Sequence, residues 1–322
     1  MNIIYLTNHL NIGGISSYVL NVASGLKQKG HNVYVASSGG QLVPKFISEG
    51  IAYLPIPIKT KFELSYKVFI SRFKLCKIIK EKNIDIIHAN TLVTQVLGFL
   101  LWRSYGIPFV STGHGFFKKR LFRRLFPCWG NKVIAISESV KNHLVRDFKV
   151  KEEDIRVIHN GIDIKKFHIS DPESRMEMKK KLGLGKGPVI GIVARLSEEK
   201  GHIYLIKAMQ QVIAQIAPAQ LLIVGEGRMK DKLVSLVKNM GIEKSIFFLP
   251  SVMDTAEILP ALDLFVLPST KEGLGLALME AMACGLCVIG SAVGGIKSLI
   301  QDSYNGLLVE LADVQGLSDA IL

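Results

Sequence analysis

Short, unbroken apolar runs rich in β-branched residues recur along the whole of this 322-residue chain, with helical patterns between them. In the first half the runs are 3–6, 33–36, 84–89, 109–112, 133–136 and 155–158; in the second they are 189–193, 221–224, 246–249, 264–267, 287–289 and 307–309. A strand with one face in water alternates apolar and polar residues. Continuous runs therefore mark strands buried on both faces, as in parallel sheets covered by helices. Between the first two runs, Ile15, Tyr18, Val19, Val22 and Leu26 are spaced for one face of a helix that Gly30 stops. Two such β/α series in tandem predict an α/β chain of two doubly wound, Rossmann-like domains facing each other across a cleft.

The boundary is expected between 163 and 188, where strand-like runs give way to Lys165-Lys166, Asp171-Pro172-Glu173-Ser174, a charged helical stretch at 176–182 and the glycine-rich 183–188. The predicted domains are 1–165 and 172–322. Hydrophobic residues make up 48% of the chain, which excludes a disordered protein. The four cysteines are too few for a disulfide scaffold and fit a reducing compartment. The longest run free of polar side chains, 281–289, falls far short of the roughly 20 residues of a membrane-spanning helix. Residues 1–9 lack a positively charged leader, so a cytoplasmic location is expected. Residues 1–168 carry 25 Lys and Arg against 10 Asp and Glu, whereas 169–322 carry 15 against 17, so the basicity belongs to the first half and favours anionic partners there.

The segment 268–285 is the strongest chemical constellation. A strand leads into a glycine-containing loop, and a helix begins near Leu276, which sets free backbone NH groups at the carboxyl edge of a parallel sheet. Glu272 lies in that loop and Glu280 more than a turn inside the helix, so the two carboxylates suit two polyhydroxyl units of one ligand. The plainer reading is a helix cap for Glu272 and a solvated charge for Glu280. Arg195 ends the run 189–193 and Lys200 precedes the next helix; both cations suit a diphosphate, the alternative for Arg195 being a surface ion pair.

Ala194-Arg195-Leu196-x3-Lys200-Gly201, Val224-Gly225-Glu226-Gly227, Val266-Leu267-Pro268-Ser269, Glu272-x7-Glu280 and Ala292-Val293-Gly294-Gly295 resemble, in the same order, the motifs of family 4 of the glycosyltransferases. These are retaining enzymes of the two-domain GT-B fold. Asn11-Ile12-Gly13-Gly14, Thr112-Gly113-His114-Gly115 and Val157-Ile158-His159-Asn160-Gly161-Ile162-Asp163 extend the likeness, more loosely, into the first half. The resemblance implies a nucleotide-sugar donor, expected to be a UDP-sugar, and a glycan or lipid-linked acceptor in bacterial surface polysaccharide synthesis. It implies that Arg195 and Lys200 hold the donor diphosphate with amides near Gly273 and Leu274, that Glu272 binds the sugar hydroxyls, and that Glu280 binds the ribose. Gly13 and Gly14 would approach the phosphates or the acceptor, and His114 would lie beside the transferred sugar; an ordinary polar strand end is the alternative for His114. The resemblance assigns no covalent nucleophile.

No Asp-x-Asp motif is present, so no divalent metal and no other cofactor is expected, with Arg195, Lys200 and the helix start taking the metal's place. Cys284 and Cys287 form a single C-x2-C without a second pair, and the glycines 183, 185 and 187 precede a strand instead of following one. An epimerase or hydrolase acting on nucleotide-sugars is the alternative enzyme, and a basic nucleic-acid-binding module the alternative from another class. No RNA- or DNA-binding motif accompanies the basic half, and no nucleic acid is expected as a partner.

Two stretches interleave basic and apolar residues: 116–126, where Phe117, Leu121 and Leu125 would share one helical side, and 67–82, with Phe69, Phe73, Ile78 and Ile79 among lysines. Each fits either a core-packed helix or the surface of an anionic membrane, and their pairing predicts peripheral attachment at the inner face of the cell membrane. The family usually continues beyond the helix that starts near 318, so a form shortened at its C-terminal helices is expected, a naturally minimal enzyme being the alternative.

Overall fold

The computed structural model describes residues 1–118 and 126–322. The chain divides into two compact units, Met1–Gly161 and Ile162–Leu322. In the first, strands β1 (Asn2–Leu6), β2 (Asn32–Ser37), β3 (Ala52–Pro55), β4 (Ile86–Ala89), β5 (Phe109–Gly113), β6 (Lys132–Ala135) and β7 (Ile155–Val157) alternate with helices. Among the described residues these helices are α1 (Gly14–Gln28), α2 (Val43–Ser48), α3 (Tyr66–Glu81), α4 (Leu92–Tyr105) and α5 (Glu138–Phe148). The sheet is parallel throughout, in the order β3-β2-β1-β4-β5-β6-β7.

The second unit repeats the scheme with β8 (Val189–Val193), β9 (Gln220–Val224), β10 (Ile246–Leu249), β11 (Leu264–Leu267), β12 (Cys287–Ser291) and β13 (Leu307–Val309). Its helices are α6 (Pro172–Lys181), α7 (His202–Gln215), α8 (Lys230–Asn239), α9 (Leu276–Ala283), α10 (Ile296–Leu299) and α11 (Val314–Ile321). Here the parallel order is β10-β9-β8-β11-β12-β13. Each sheet starts in its middle, winds to one edge, and restarts on the other side of its first strand. The connections leaving β1 and β4, and those leaving β8 and β11, therefore diverge, opening a crevice at the carboxyl ends where ligands bind in such folds.

The pleat sorts the first unit's core by parity. On β1, Ile4 and Leu6 enter the layer with Leu75, Leu97 and Phe109, while Ile3 and Tyr5 enter the opposite layer with Val19, Val35 and Phe46. In the second unit one continuous core surrounds Ile192, Leu222 and Phe265.

The division between the units falls ahead of the expected 165–172 because Phe167 is buried in the second core. The charged helix α6 contributes no buried residue of its own. It packs the partly buried Met178 against the core and is pinned by Asp263: Arg175 and Lys179 reach the Asp263 carboxylate at 2.9 and 2.6 Å, and that carboxylate also accepts from the Val189 amide at 2.8 Å. At the C-terminal end, α11 packs on α7 through the buried Leu317. Of the basic stretch 116–126, residues 119–125 lie outside the described residues. Phe117 does not present a free apolar face; it is half-buried against Trp129, His143 and Phe148.

Backbones approach closely at the loops that end the central strands. Gly201 holds a left-handed φ of 69°, and a Cβ there would overlap the Pro268 carbonyl oxygen. A Cβ on Gly225 would overlap Ala194, one on Gly227 would overlap Leu196, and one on Gly295 would overlap Gly273. Gly241 has nearly the same φ, 66°, but opens onto empty space, which separates the two effects. Gly241→Ala is expected to cost about 1 kcal/mol for the left-handed backbone, and Gly201→Ala about 2 kcal/mol more for displacing the loop at Pro268. Equal shifts in urea unfolding midpoint would show that the Gly201 contact carries no energy.

Candidate active site

In the second unit, the site is assembled where β8 and β11 release their loops. After β8 the chain runs through Arg195 to a single helical turn at Glu198–Lys200, and Gly201 then opens α7 without a side-chain cap. After β11 it runs through Ser269 and Glu272 to Gly275, which opens α9, again without a side-chain cap. Lys200 Nζ lies 2.5 Å from Glu272 Oε2, and the Ser269 hydroxyl donates to the same oxygen at 3.1 Å. Glu272 is largely buried, yet both partners share Oε2, which leaves Oε1 to accept from a ligand hydroxyl. Glu272 is thus no helix cap; it is oriented by a cation from the neighbouring loop.

The loop after β12 supports this arrangement: the Gly295 amide donates to the Glu272 carbonyl at 3.0 Å, and Gly273 and Leu274 are buried beneath it. Arg195 stands exposed, and among the described residues no ion pair holds it. Lys200 is engaged by Glu272 in this structure.

Glu280 is not a solvated charge either. It faces a small polar group in which the Thr255 hydroxyl donates to its Oε2 at 2.7 Å and Lys166 pairs with Asp254 at 2.9 Å. Burial pushes its carboxyl up to about 7, against the opposing influence of Thr255 and Lys166. Near neutral pH it exchanges readily between accepting and donating a hydrogen bond.

In the first unit, Gly13 and Gly14 are exposed at the uncapped start of α1. His114 follows β5 and is half-buried, its Nε2 3.1 Å from Asn90 Oδ1 at the end of β4 and its ring edge-on to Tyr18 at 4.7 Å. Beneath it, Thr112 Oγ1 lies 2.7 Å from His88 Nε2 and 3.3 Å from the Tyr18 hydroxyl. Burial, and then His88 nearby, lowers the His114 pKa to about 3, and burial lowers that of His88 to about 4. Both imidazoles are neutral at physiological pH. An amide oxygen accepts only, so Asn90 fixes the proton of His114 on Nε2 and leaves Nδ1 as an acceptor. Tyr18 and Ser269, read in the sequence only as a helix-face residue and as part of a motif, join the site with His88 and Asn90; the polar pair His88-x-Asn90 closing an apolar strand was the available signal for the latter two. Among the described residues no group of three or more His, Cys, Asp or Glu is placed to hold a metal ion.

The buried imidazole of His88 predicts a pH dependence of known sign. Its folded pKa lies below the unfolded value of about 6.5, so its stabilising contribution is complete above that pH and is lost as pH falls toward 4. His88→Gln, which keeps a partner for Thr112, is expected to remove on the order of 1–2 kcal/mol of the stability lost between pH 7.5 and 5. Urea unfolding at both pH values checks this; an undiminished loss in the variant contradicts it.

Comparison with known proteins accounts for both halves. The model of glycosyl transferases group 1 matches residues 174–322, and that of glycosyltransferase family 4 matches residues 12–166. The chain is 31% identical to an Escherichia coli UDP-Gal:alpha-D-GlcNAc-diphosphoundecaprenol alpha-1,3-galactosyltransferase, with 78% of this chain and 69% of that one covered. It is 27% identical to the Bacillus anthracis N-acetyl-alpha-D-glucosaminyl L-malate synthase, covering 98% of this chain and 85% of the relative. The crystal structure of Anabaena HepE with UDP and glucose shares the fold at a TM-score of 0.87 and 24% identity, with 100% and 89% of the two chains covered. Family models over both units, a relative of known activity matched over two thirds of its length, and two doubly wound parallel sheets agree: the chain belongs to the group 1, family 4 glycosyltransferases of the GT-B fold.

Proposed function

We propose that the protein transfers a hexose, with retention at the anomeric carbon, from a UDP-sugar to a lipid-linked or glycan acceptor, without a divalent metal, in the assembly of a bacterial surface polysaccharide. The Lys200–Glu272 pair at the carboxyl ends of β8 and β11 carries this reading. Breaking the bond from the anomeric carbon to phosphate builds positive charge on the sugar and negative charge on the departing diphosphate. Fixed cations and helix-start amides stabilise that anion without reorganising. Lys200 and the exposed Arg195 supply the cations, and the uncapped start of α9 beside Gly273 and Leu274 supplies the amides.

Glu272, oriented by Lys200 and Ser269, accepts from sugar hydroxyls through Oε1. Glu280 exchanges hydrogen bonds with the ribose. In the first unit, neutral His114 offers Nδ1 to a sugar hydroxyl without placing a second positive charge beside the developing one. Gly13 and Gly14 let the start of α1 come close to the ligand. The acceptor hydroxyl attacks from the face the diphosphate leaves, and no side chain is assigned as a covalent nucleophile. The names of the E. coli and B. anthracis relatives support two kinds of acceptor, a diphosphoundecaprenol-linked sugar and a small hydroxy acid. Both are anions, which the basic first half suits.

Calorimetry with UDP-, GDP- and ADP-sugars tests the donor, with UDP expected to bind tightest. Free sugar or an epimer, with no acceptor product from any acceptor offered, would refute transfer. Arg195→Ala and Glu272→Ala are each expected to lower kcat/KM by roughly 30- to 1,000-fold, from about 2 to 4 kcal/mol of lost transition-state stabilisation. Parental rates in both variants would remove the donor-site assignment. Activity is expected to persist in excess EDTA; loss on chelation, restored by Mg²⁺ or Mn²⁺, would contradict metal independence.

A further inference from the structure

The first unit carries a stripe of large apolar side chains that nothing in its own fold covers. Helix α3 buries Val68, Ser71, Leu75 and Ile79 against its unit. The other side of the helix and the loop ahead of it leave Phe62 77% exposed, Leu64 60%, Tyr66 68%, Phe69 53% and Phe73 80%. Positions 66, 69 and 73 fall on one helical face, so the loop residues and that face form a continuous ridge. Residues 59–80 hold seven basic side chains and one acid, Glu63, which is buried. Lys59, Lys61, Lys74 and Lys77 are exposed around the ridge.

This ridge is tied to the sheet edge that carries His114. The Asn8 amide donates to the Thr60 carbonyl at 3.0 Å, and Thr91 donates to Asn8 Oδ1 at 2.9 Å, next to the Asn90 that holds His114. Lys59 is also close enough for its charge to add to burial in lowering the pKa of His9, on the loop after β1.

We infer that the ridge from Phe62 to Phe73 seats the first unit in an anionic bilayer surface, its aromatic and leucine side chains entering the boundary between headgroups and acyl chains and its lysines lying among the headgroups. This deepens the acceptor side of the proposed function, because a lipid-linked acceptor then arrives at the sheet edge of His114 from the membrane itself. A protein partner fits less well, since lysine is depleted from protein interfaces. A second copy fits less well again, since it would press one lysine rim against another. Exposed phenylalanines flanked by lysines whose stems can stretch toward water are the composition of an interfacial helix.

The test is sedimentation of the full chain with vesicles of phosphatidylglycerol and phosphatidylcholine against phosphatidylcholine alone. The parent is expected to bind the anionic vesicles at low salt. Phe62→Ser/Phe69→Ser/Phe73→Ser is expected to weaken that binding at least tenfold while keeping the parental melting temperature; should it melt early, Phe62→Ser alone carries the comparison. Neutralising Lys59, Lys61 and Lys74 to Gln is expected to weaken it about fivefold per charge. Failure of the parent to bind anionic vesicles, or parental binding by the serine variants, would overturn the inference. So would a dimer on gel filtration that the serine substitutions split. Vesicle binding is read without donor and donor calorimetry without vesicles, so either reading can fail alone.

Discussion

Two backbones meet at Gly201 and Pro268, and the second unit's chemistry depends on that meeting. It places Lys200 and Glu272, 72 residues apart in the chain, 2.5 Å apart in space. A largely buried carboxylate without a partner would be costly, and a cation alone at the end of a strand would be free to wander. Paired, each holds the other where the diverging connections of a parallel sheet leave room for a ligand. On the proposed reading, a bound diphosphate would compete with Glu272 for Lys200, and donor binding would exchange one ion pair for another instead of capturing an idle charge.

The first unit meets the opposite requirement. His88 and His114 are kept neutral by burial, and the polar atoms around them are satisfied by Thr112, Tyr18 and Asn90 rather than by carboxylates. On the proposed reading, the second unit concentrates fixed charge for a departing anion. The other presents polar, uncharged groups suited to hydroxyls.

The architecture was largely legible in the sequence because buried parallel strands write themselves as continuous apolar runs, and twelve such runs reappear as strands. The thirteenth, β3, escaped because Ala52-Tyr53-Leu54-Pro55 is short, ends in proline and lies half-exposed at the sheet edge. The residues of the β8 and β11 loops stood out through their glycines and charges. The Lys200–Glu272 bond did not, since neither partner's position predicts which other loop it will meet. The group of Tyr18, His88, Asn90 and Thr112 was illegible for a similar reason: its members come from α1, β4 and β5 and are joined only by sheet order. The apolar ridge on α3 and the loop ahead of it was half visible, since the basic stretch showed in the sequence while the outward aim of Phe62, Leu64 and Tyr66 did not.

The frame of the second unit's site rests on main chain lying against main chain, with Gly201 on Pro268, Gly225 on Ala194, Gly227 on Leu196 and Gly295 on Gly273. Such a brace takes no notice of which side chains surround it. Side chains lining these loops could therefore be exchanged without loosening the frame. The same brace gives way at a single added carbon. The surface open to evolutionary change and the points closed to it thus lie side by side in the same loops.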